Sequence, residues 1–444
     1  MKIFNSYTNK LEEFETINKG IVNMYVCGPT VYNYIHIGNA RPVIFFDTVR
    51  RYLEHRDYKV NFVSNFTDVD DKIIAKAIEL QVTEKEVTDK FITAFLQDVK
   101  KVNSSIDYTK PRVTNYMDHI IDYINILVQK DFAYVVDGDV YFRVTNVENY
   151  GKLSNRNVED LISGSRVDIN VKKENPLDFT LWKKTEIGIK FESPWGLGRP
   201  GWHTECVAMI DDIFKQQIDI HGGGSGLMFP HHENEIAQSM VLNNHSLARY
   251  WMHNGLLNIG GNKMSKSEGE VVLVKDLTVD PNAFRLFTLS TYYRSPITYT
   301  DEALDVYVKE WEKVKRIYSS LFLKLDLEDG LYNNSKIDPD LLKIYKNLLA
   351  SMDNDFNTAN AITSLQDLVK ISNQMLRNKT ENSVLLSSLK LFNDFFDILG
   401  LKFTKEPLSI EDKETYKLWN KARSEKDFDS ADIYRNKLQV KGII

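Results

Sequence analysis

Residues 21–39 read Ile21-Val-Asn-Met-Tyr-Val26-Cys-Gly-Pro-Thr30-Val-Tyr-Asn-Tyr-Ile-His36-Ile-Gly-Asn39, and this stretch decides the fold. Ile21 to Val26 is a short, mostly apolar run closed by a Gly-Pro turn, the pattern of a buried strand running into a loop. Beyond Asn39, the residues Phe45, Val49, Tyr52 and Leu53 fall on one face at helical spacing. Residues 59–66 alternate as a strand does, and Thr67-Asp68-Val-Asp70-Asp71 opens a further helix with acids in its first turn. Strand, helix and strand at this spacing predict a βαβ unit of a doubly wound, parallel, Rossmann-type α/β sheet. Such sheets take their ligands at the carboxyl ends of the strands, which is where Cys27 and Thr30 fall.

The whole chain bounds this reading. With 444 residues, 43% of them apolar and 11% aromatic, two to four domains with a sizeable core are expected. No apolar run is long enough to span a bilayer, and the first twenty residues are too polar for a secretory leader, so a cytoplasmic protein without membrane contact is expected. Two distant cysteines give no disulfide framework. The net charge of −6 restricts any nucleic-acid contact to local basic patches.

Three further segments carry metal-ligand chemistry: Gly201-Trp202-His-Thr-Glu-Cys206, Ile218-Asp-Ile-His221-Gly222-Gly-Gly224, and Phe229-Pro-His231-His-Glu-Asn-Glu235. His231 and Glu235 are four apart after Pro230, on one face of an expected helix. Both cysteines lie beside Gly- and Pro-rich turns at expected strand ends. A quartet of Cys27, Cys206, His231 and Glu235 offers thiolate, imidazole and carboxylate to one soft cation, with zinc the best match. The same residues also suit small buried cysteines and a solvated helix start with acids near the positive end of its dipole.

Two glycine-bearing segments suit a nucleotide. In His36-Ile-Gly38-Asn39 the glycine permits close backbone approach, while His36 and Asn39 offer donors to phosphate oxygens at a helix start. Gly260-Gly261-Asn-Lys263-Met-Ser-Lys266-Ser267 places two lysines on a glycine-started loop, where they can follow charge building on a departing pyrophosphate.

Taken together, His36-Ile-Gly-Asn39 and Lys263-Met-Ser-Lys266-Ser267 resemble the paired signature of class I aminoacyl-tRNA synthetases. With Cys27-Gly-Pro-Thr-Val-Tyr32, Gly-Trp-His-Thr-Glu-Cys206 and Phe-Pro-His231-His-Glu-Asn-Glu235, the chain is similar to the cysteinyl-tRNA synthetase family over nearly its whole length. The resemblance implies one zinc per chain on Cys27, Cys206, His231 and Glu235. It implies catalysis by His36, Asn39, Lys263 and Lys266, and ATP binding by His36, Gly38, Asn39, His221, Gly222 and Lys266 with Mg²⁺. Thr67 and Trp202 would wall an L-cysteine pocket, and the partner would be tRNA(Cys), charged by a monomer. Glu235, the single carboxylate, is the expected loosely held ligand. A zinc that accepts the substrate sulfur would separate cysteine from serine, which shape alone does poorly. Asn33, Thr204, Val207 and Glu268 depart from the family pattern, and the chain ends short of the family's usual final segment.

The expected organisation has a first half-sheet over 1–117, a connective insertion over 118–198 and a second half-sheet over 199–255. A lysine-loop and stem-contact region (256–300), an all-α helical bundle (301–400) and anticodon-binding helices (401–444) follow. Asp137-Gly138 marks a hairpin in the insertion. Leu304, Val308, Trp311, Val314, Tyr318 and Leu321 form one helical face with Thr300 as its cap. The last stretch, from Leu401, carries ten Lys/Arg against eight Asp/Glu, a local charge of +2. Two rivals stand beside this reading: a ligase joining cysteine to an amino sugar, which needs no basic tail, and an inactive RNA-binding relative.

Overall fold

The computed structural model describes residues 1–155, 172–260, 271–332 and 334–443. Its central sheet has four parallel strands in the order Ala248–Asn254, Ile218–Gly224, Ile21–Val26, Lys59–Ser64. Five of the six residues of Ile21–Val26 are buried, because helices cover both faces of a parallel sheet. Helix Ile37–His55 returns the chain from the first strand to its neighbour and buries Phe45, Val49, Tyr52 and Leu53, the face read from the sequence. The chain leaves strand Ile21–Val26 toward Lys59–Ser64 on one side, whereas Ile218–Gly224 pairs with Ala248–Asn254 on the other. The strand order therefore reverses between Ile21–Val26 and Ile218–Gly224, and the crevice at their carboxyl ends is the binding position of a doubly wound sheet. Cys27 sits there, its N–H donating to the Gly222 carbonyl at 3.2 Å.

An antiparallel four-stranded sheet lies within residues 133–200. Its hairpin of Ala133–Val136 and Asp139–Phe142 turns at Asp137 and Gly138, both with positive φ, as a tight two-residue turn requires. A two-stranded hairpin, Lys2–Asn5 with Glu13–Lys10, opens the chain and was not read from its sequence.

Two expectations about the metal segments need correction. Cys206 does not sit at a strand end but inside helix Trp202–Phe214, which Gly201 introduces in extended conformation. The helix starts four residues before the cysteine because no Gly or Pro interrupts the run from Trp202 to Phe214, and Thr204 to Ile210 are buried along it. The helix carrying Glu235 starts at Glu233, and His231 and His232 belong to a wider turn, Met228–His232, just before it.

By Cα packing the chain forms two compact units. One comprises residues 1–308, 349–362 and 398–400, the other 309–348, 363–397 and 401–444. The second is all helical and is built around Trp311, Tyr318, Phe392, Phe396 and Phe403, whose rings meet edge-to-face or tilted. Trp311, Val314, Tyr318 and Leu321 are buried as the helical spacing predicts. In the first unit, Thr300 caps helix Asp301–Leu327 by accepting from the Ala303 N–H. The last two helices, Ile410–Glu425 and Phe428–Val440, form a hairpin whose turn uses Lys426 in left-handed conformation. No helix among the described residues is long and apolar enough to cross a membrane.

Candidate active site and metal centre

Four segments converge at the crevice. Strand Ile21–Val26 delivers Cys27, helix Trp202–Phe214 delivers Cys206, and the turn and helix from Met228 deliver His231 and Glu235. The two sulfurs lie 3.8 Å apart. His231 Nε2 is 3.5 Å from Cys27 Sγ and 3.8 Å from Cys206 Sγ. Glu235 Oε1 lies 3.7 Å from Cys27 Sγ and 3.0 Å from His231 Nε2. A tetrahedral zinc with Zn–S of about 2.3 Å and Zn–N of about 2.0 Å has sulfur–sulfur edges of about 3.8 Å and sulfur–nitrogen edges of about 3.5 Å. The four predicted ligands therefore have the spacing and donor chemistry of one zinc site. A second quartet, Cys27, His221, His232 and Glu235, shares two donors with the first. It has one thiol instead of two and is the harder donor set, so the first quartet suits zinc better.

The surroundings hold these donors in place. Glu235 Oε2 lies 2.8 Å from His221 Nε2 without the alignment of a hydrogen bond, so a buried carboxylate oxygen is left to find a cation. His203 Nδ1 contacts His231 Nδ1 at 3.0 Å, fixing the face of the ring opposite Nε2. Trp202 stacks on His231 with centroids 4.3 Å apart. The Cys27 thiol is pushed well up by burial and by sharing a proton with Cys206, which that bond draws down to about 6. Burial opposes charge on His231, yet Glu235 and Cys206 raise it to about 10. Burial likewise opposes ionisation of Glu235, and His221 with His231 nonetheless holds it well below the usual carboxylate range. Three more imidazoles, His203, His232 and His253, are kept neutral by burial. Sequence reading gave them no role, although His203 and His232 lie within segments already singled out; His253 gave no local signal.

Cys27 also lines a cavity of about 370 Å³ that runs past His36, Gly38 and Asn39 to Gly224 and Asn254–Leu257. His36 caps helix Ile37–His55: its Nδ1 accepts from the Gly38 N–H at 3.1 Å, and Asn39 Oδ1 accepts from the His36 N–H at 3.2 Å. With Nδ1 accepting and burial lowering its pKa, the neutral ring carries its proton on Nε2 as a donor. A Cβ at Gly38 would lie 2.8 Å from the His36 ring, so only glycine permits this cap. His221 and Gly222 do not line the cavity. His221 stacks on Trp251 and faces Glu235, and Gly222 is packed under the Phe46 ring. Gly224 lines the cavity instead. Thr67 is buried and donates to Glu205 at 3.3 Å. Lys263 and Lys266 lie outside the described residues.

Residues 13–309 match the family model described as tRNA synthetases class I (C) catalytic domain, and residues 348–404 match the DALR domain. The fold agrees with a solved structure, Mycobacterium tuberculosis methionyl-tRNA synthetase in complex with methionyl-adenylate. The TM-score is 0.64 at 15% identity, covering 93% of this chain and 96% of that one. Fold and crevice thus define a class I aminoacyl-tRNA synthetase. Among curated relatives, the cysteine–tRNA ligase of Geobacillus thermodenitrificans (strain NG80-2) is 45% identical, over all of this chain and 96% of its own length. Those of Staphylococcus carnosus (strain TM300) and Bacillus cytotoxicus (strain DSM 22905 / CIP 110041 / 391-98 / NVH 391-98) are 46% and 48% identical over all of this chain and 97% and 96% of theirs. The chain belongs to the cysteine–tRNA ligase family.

Proposed function

We propose that the protein activates L-cysteine with ATP to cysteinyl-adenylate and transfers it to the 3′-terminal adenosine of tRNA(Cys). The observation that carries this is that Cys27 belongs both to a tetrahedrally spaced soft-metal quartet and to the wall of the cavity bearing His36, Gly38 and Asn39. An amino acid whose side chain met the quartet would lie beside the cavity proposed for the nucleotide, because Cys27 belongs to both. Cys27, Cys206, His231 and Glu235 would hold the ion. When bound, zinc supplies a soft Lewis acid that prefers a thiolate to a hydroxyl, the basis for rejecting serine.

His36 donates from Nε2 to a phosphate oxygen, and the exposed helix N-terminus adds its dipole in the same direction. Asn39, held by the His36 N–H, orients that turn. Lys263 and Lys266, with Mg²⁺ on the nucleotide, stabilise the charge that develops as the cysteine carboxylate attacks the α-phosphate and pyrophosphate leaves. Trp202, stacked on His231 and partly exposed, and Thr67 bound the amino-acid side. The terminal ribose hydroxyl then attacks the activated carbonyl, and AMP departs. The helical hairpin Ile410–Val440 reads the anticodon region.

The test is cysteine-dependent ATP–pyrophosphate exchange with serine as control, followed by charging of tRNA. Exchange with cysteine alone, then transfer to tRNA, is expected. Exchange without transfer to tRNA would point to an amino-sugar acceptor, and absence of exchange would end the proposal.

A further inference from the structure

Three arginines are buried among the described residues: Arg41, Arg199 and Arg285. Two of them have carboxylate partners. Arg199 pairs with Asp71, and Arg285 pairs with Asp47 at 2.5 Å. Arg41, 1% exposed in the first turns of helix Ile37–His55, has none among the described residues. Its guanidinium instead donates to three carbonyls: Nη1 to Gly255 at 2.7 Å and Leu256 at 2.8 Å, and Nη2 to Ser295 at 2.7 Å.

Those carbonyls mark where the chain leaves strand Ala248–Asn254 for the short parallel pair Leu257–Ile259 and Ile297–Tyr299. Gly255 is wedged so tightly that a Cβ would lie 2.5 Å from the Ser295 carbonyl oxygen. Gly255, Leu256 and Leu257 are also wall residues of the cavity, together with Asn39 and Pro42 on either side of Arg41 in sequence. Burial draws the guanidinium down to about 10, so it is still a cation at neutral pH.

A neutral amide could tie carbonyls together without the penalty of burying an unpaired charge. At Arg285 the fold supplies a carboxylate, Asp47, itself a wall residue of the cavity. At Arg41 it supplies none among the described residues, and the neighbouring cavity is the one proposed to take a polyanion. We propose that Arg41 is a positioning residue whose guanidinium fixes the Gly255–Leu256 wall and whose uncompensated charge has the triphosphate of ATP as its counter-ion. The inference rests on the ATP reading of the cavity.

Binding of ATP and of uncharged adenosine to the full-length protein, measured by calorimetry, tests it. Arg41→Gln keeps an amide for the carbonyls and removes the charge. It is expected to weaken ATP about tenfold while changing adenosine less than about twofold, the size of one charge acting at a distance through a partly polar medium. Arg41→Lys keeps the charge and loses the fork, so its ATP-to-adenosine affinity ratio is expected to match wild type. Equal loss of both ligands in Arg41→Gln would reduce Arg41 to a packing role, and unchanged ATP binding would remove it altogether. If Arg41→Gln fails to fold by circular dichroism, Arg41→Lys decides: a preserved ratio supports the proposal and a fallen ratio overturns it. Wild-type protein that binds no ATP defeats the functional reading itself, whereas ATP binding with an unaltered ratio in Arg41→Gln defeats only the inference.

Discussion

The metal quartet and the terminal hairpin Ile410–Val440 place their polar groups in opposite ways. At the quartet, two thiols, an imidazole and a carboxylate are brought together out of water, and each is shifted by its neighbours. In the hairpin most lysines and acids stand in solvent, Lys413 and Asp412 being partly covered. Ile410, Phe428, Ile433 and Val440 are exposed beside them, and only Ala422, Ala431 and Leu438 are buried. Burial makes a few side chains chemically unlike their free forms. Exposure leaves many charges available to a large, diffuse partner such as RNA.

The comparison can be broken most sharply at the quartet. Cys206→Ala is expected to lose bound zinc, read by elemental analysis, and to lower cysteine-dependent pyrophosphate exchange roughly a thousandfold with the fold retained. Retained zinc with full exchange would remove the metal from the site. At the other end, Lys421→Glu with Arg423→Glu reverses two exposed charges next to Trp419, over which Arg423 sits at 4.8 Å. Charging of tRNA should fall about tenfold through KM, with pyrophosphate exchange unchanged and a shallower salt dependence of tRNA binding. An equal loss in both assays would mean that the hairpin does not act through RNA.

Two smaller effects sharpen the contrast within the buried class. Asp47 accepts from both Arg285 and Arg51, and these cations hold its carboxyl below the usual range although burial opposes them. Asp47→Asn leaves Arg285 buried and unpaired, and urea unfolding should show a loss of about 3 kcal/mol. Asp98 is the opposite case. Its carboxyl is pushed up to about 6 by burial, and its Oδ2 has no hydrogen-bond partner among the described residues. An acid whose pKa is higher folded than unfolded binds its proton more tightly in the native state, so its contribution is full below about pH 4 and lost as pH rises through about 6. Asp98→Asn should therefore gain on wild type by about 1 kcal/mol between pH 4 and 7, seen in melts across that range. A gap that does not vary with pH would refute the shift.

Local pattern accounts for what was legible. The apolar run at 21–26, the helical face through Phe45 and Leu53, the Asp137-Gly138 turn and the Thr300 cap each depend on residues a few positions apart, so each appears in the described structure as read. The quartet was legible in residue type and family resemblance, and the structure brings those four side chains together. The placement of Cys206 was misjudged, because Gly201 and the turn signals before it masked a helix start. His221 and Gly222 were expected at the nucleotide, and in the structure neither lines the cavity. Their neighbours in the structure, Trp251, Glu235 and Phe46, are remote in sequence and so left no local signal.

The sequence by itself determined the first βαβ unit, the helical character of the last third and the donor types available to a soft metal, because periodicity and side-chain chemistry are local properties. Only the tertiary structure decided the strand order that opens the crevice at Cys27, the 3.8 Å between two sulfurs 179 residues apart, and the burial of Arg41 without a carboxylate. These are matters of distance and dielectric, and both are fixed by which remote segments exclude water from one another.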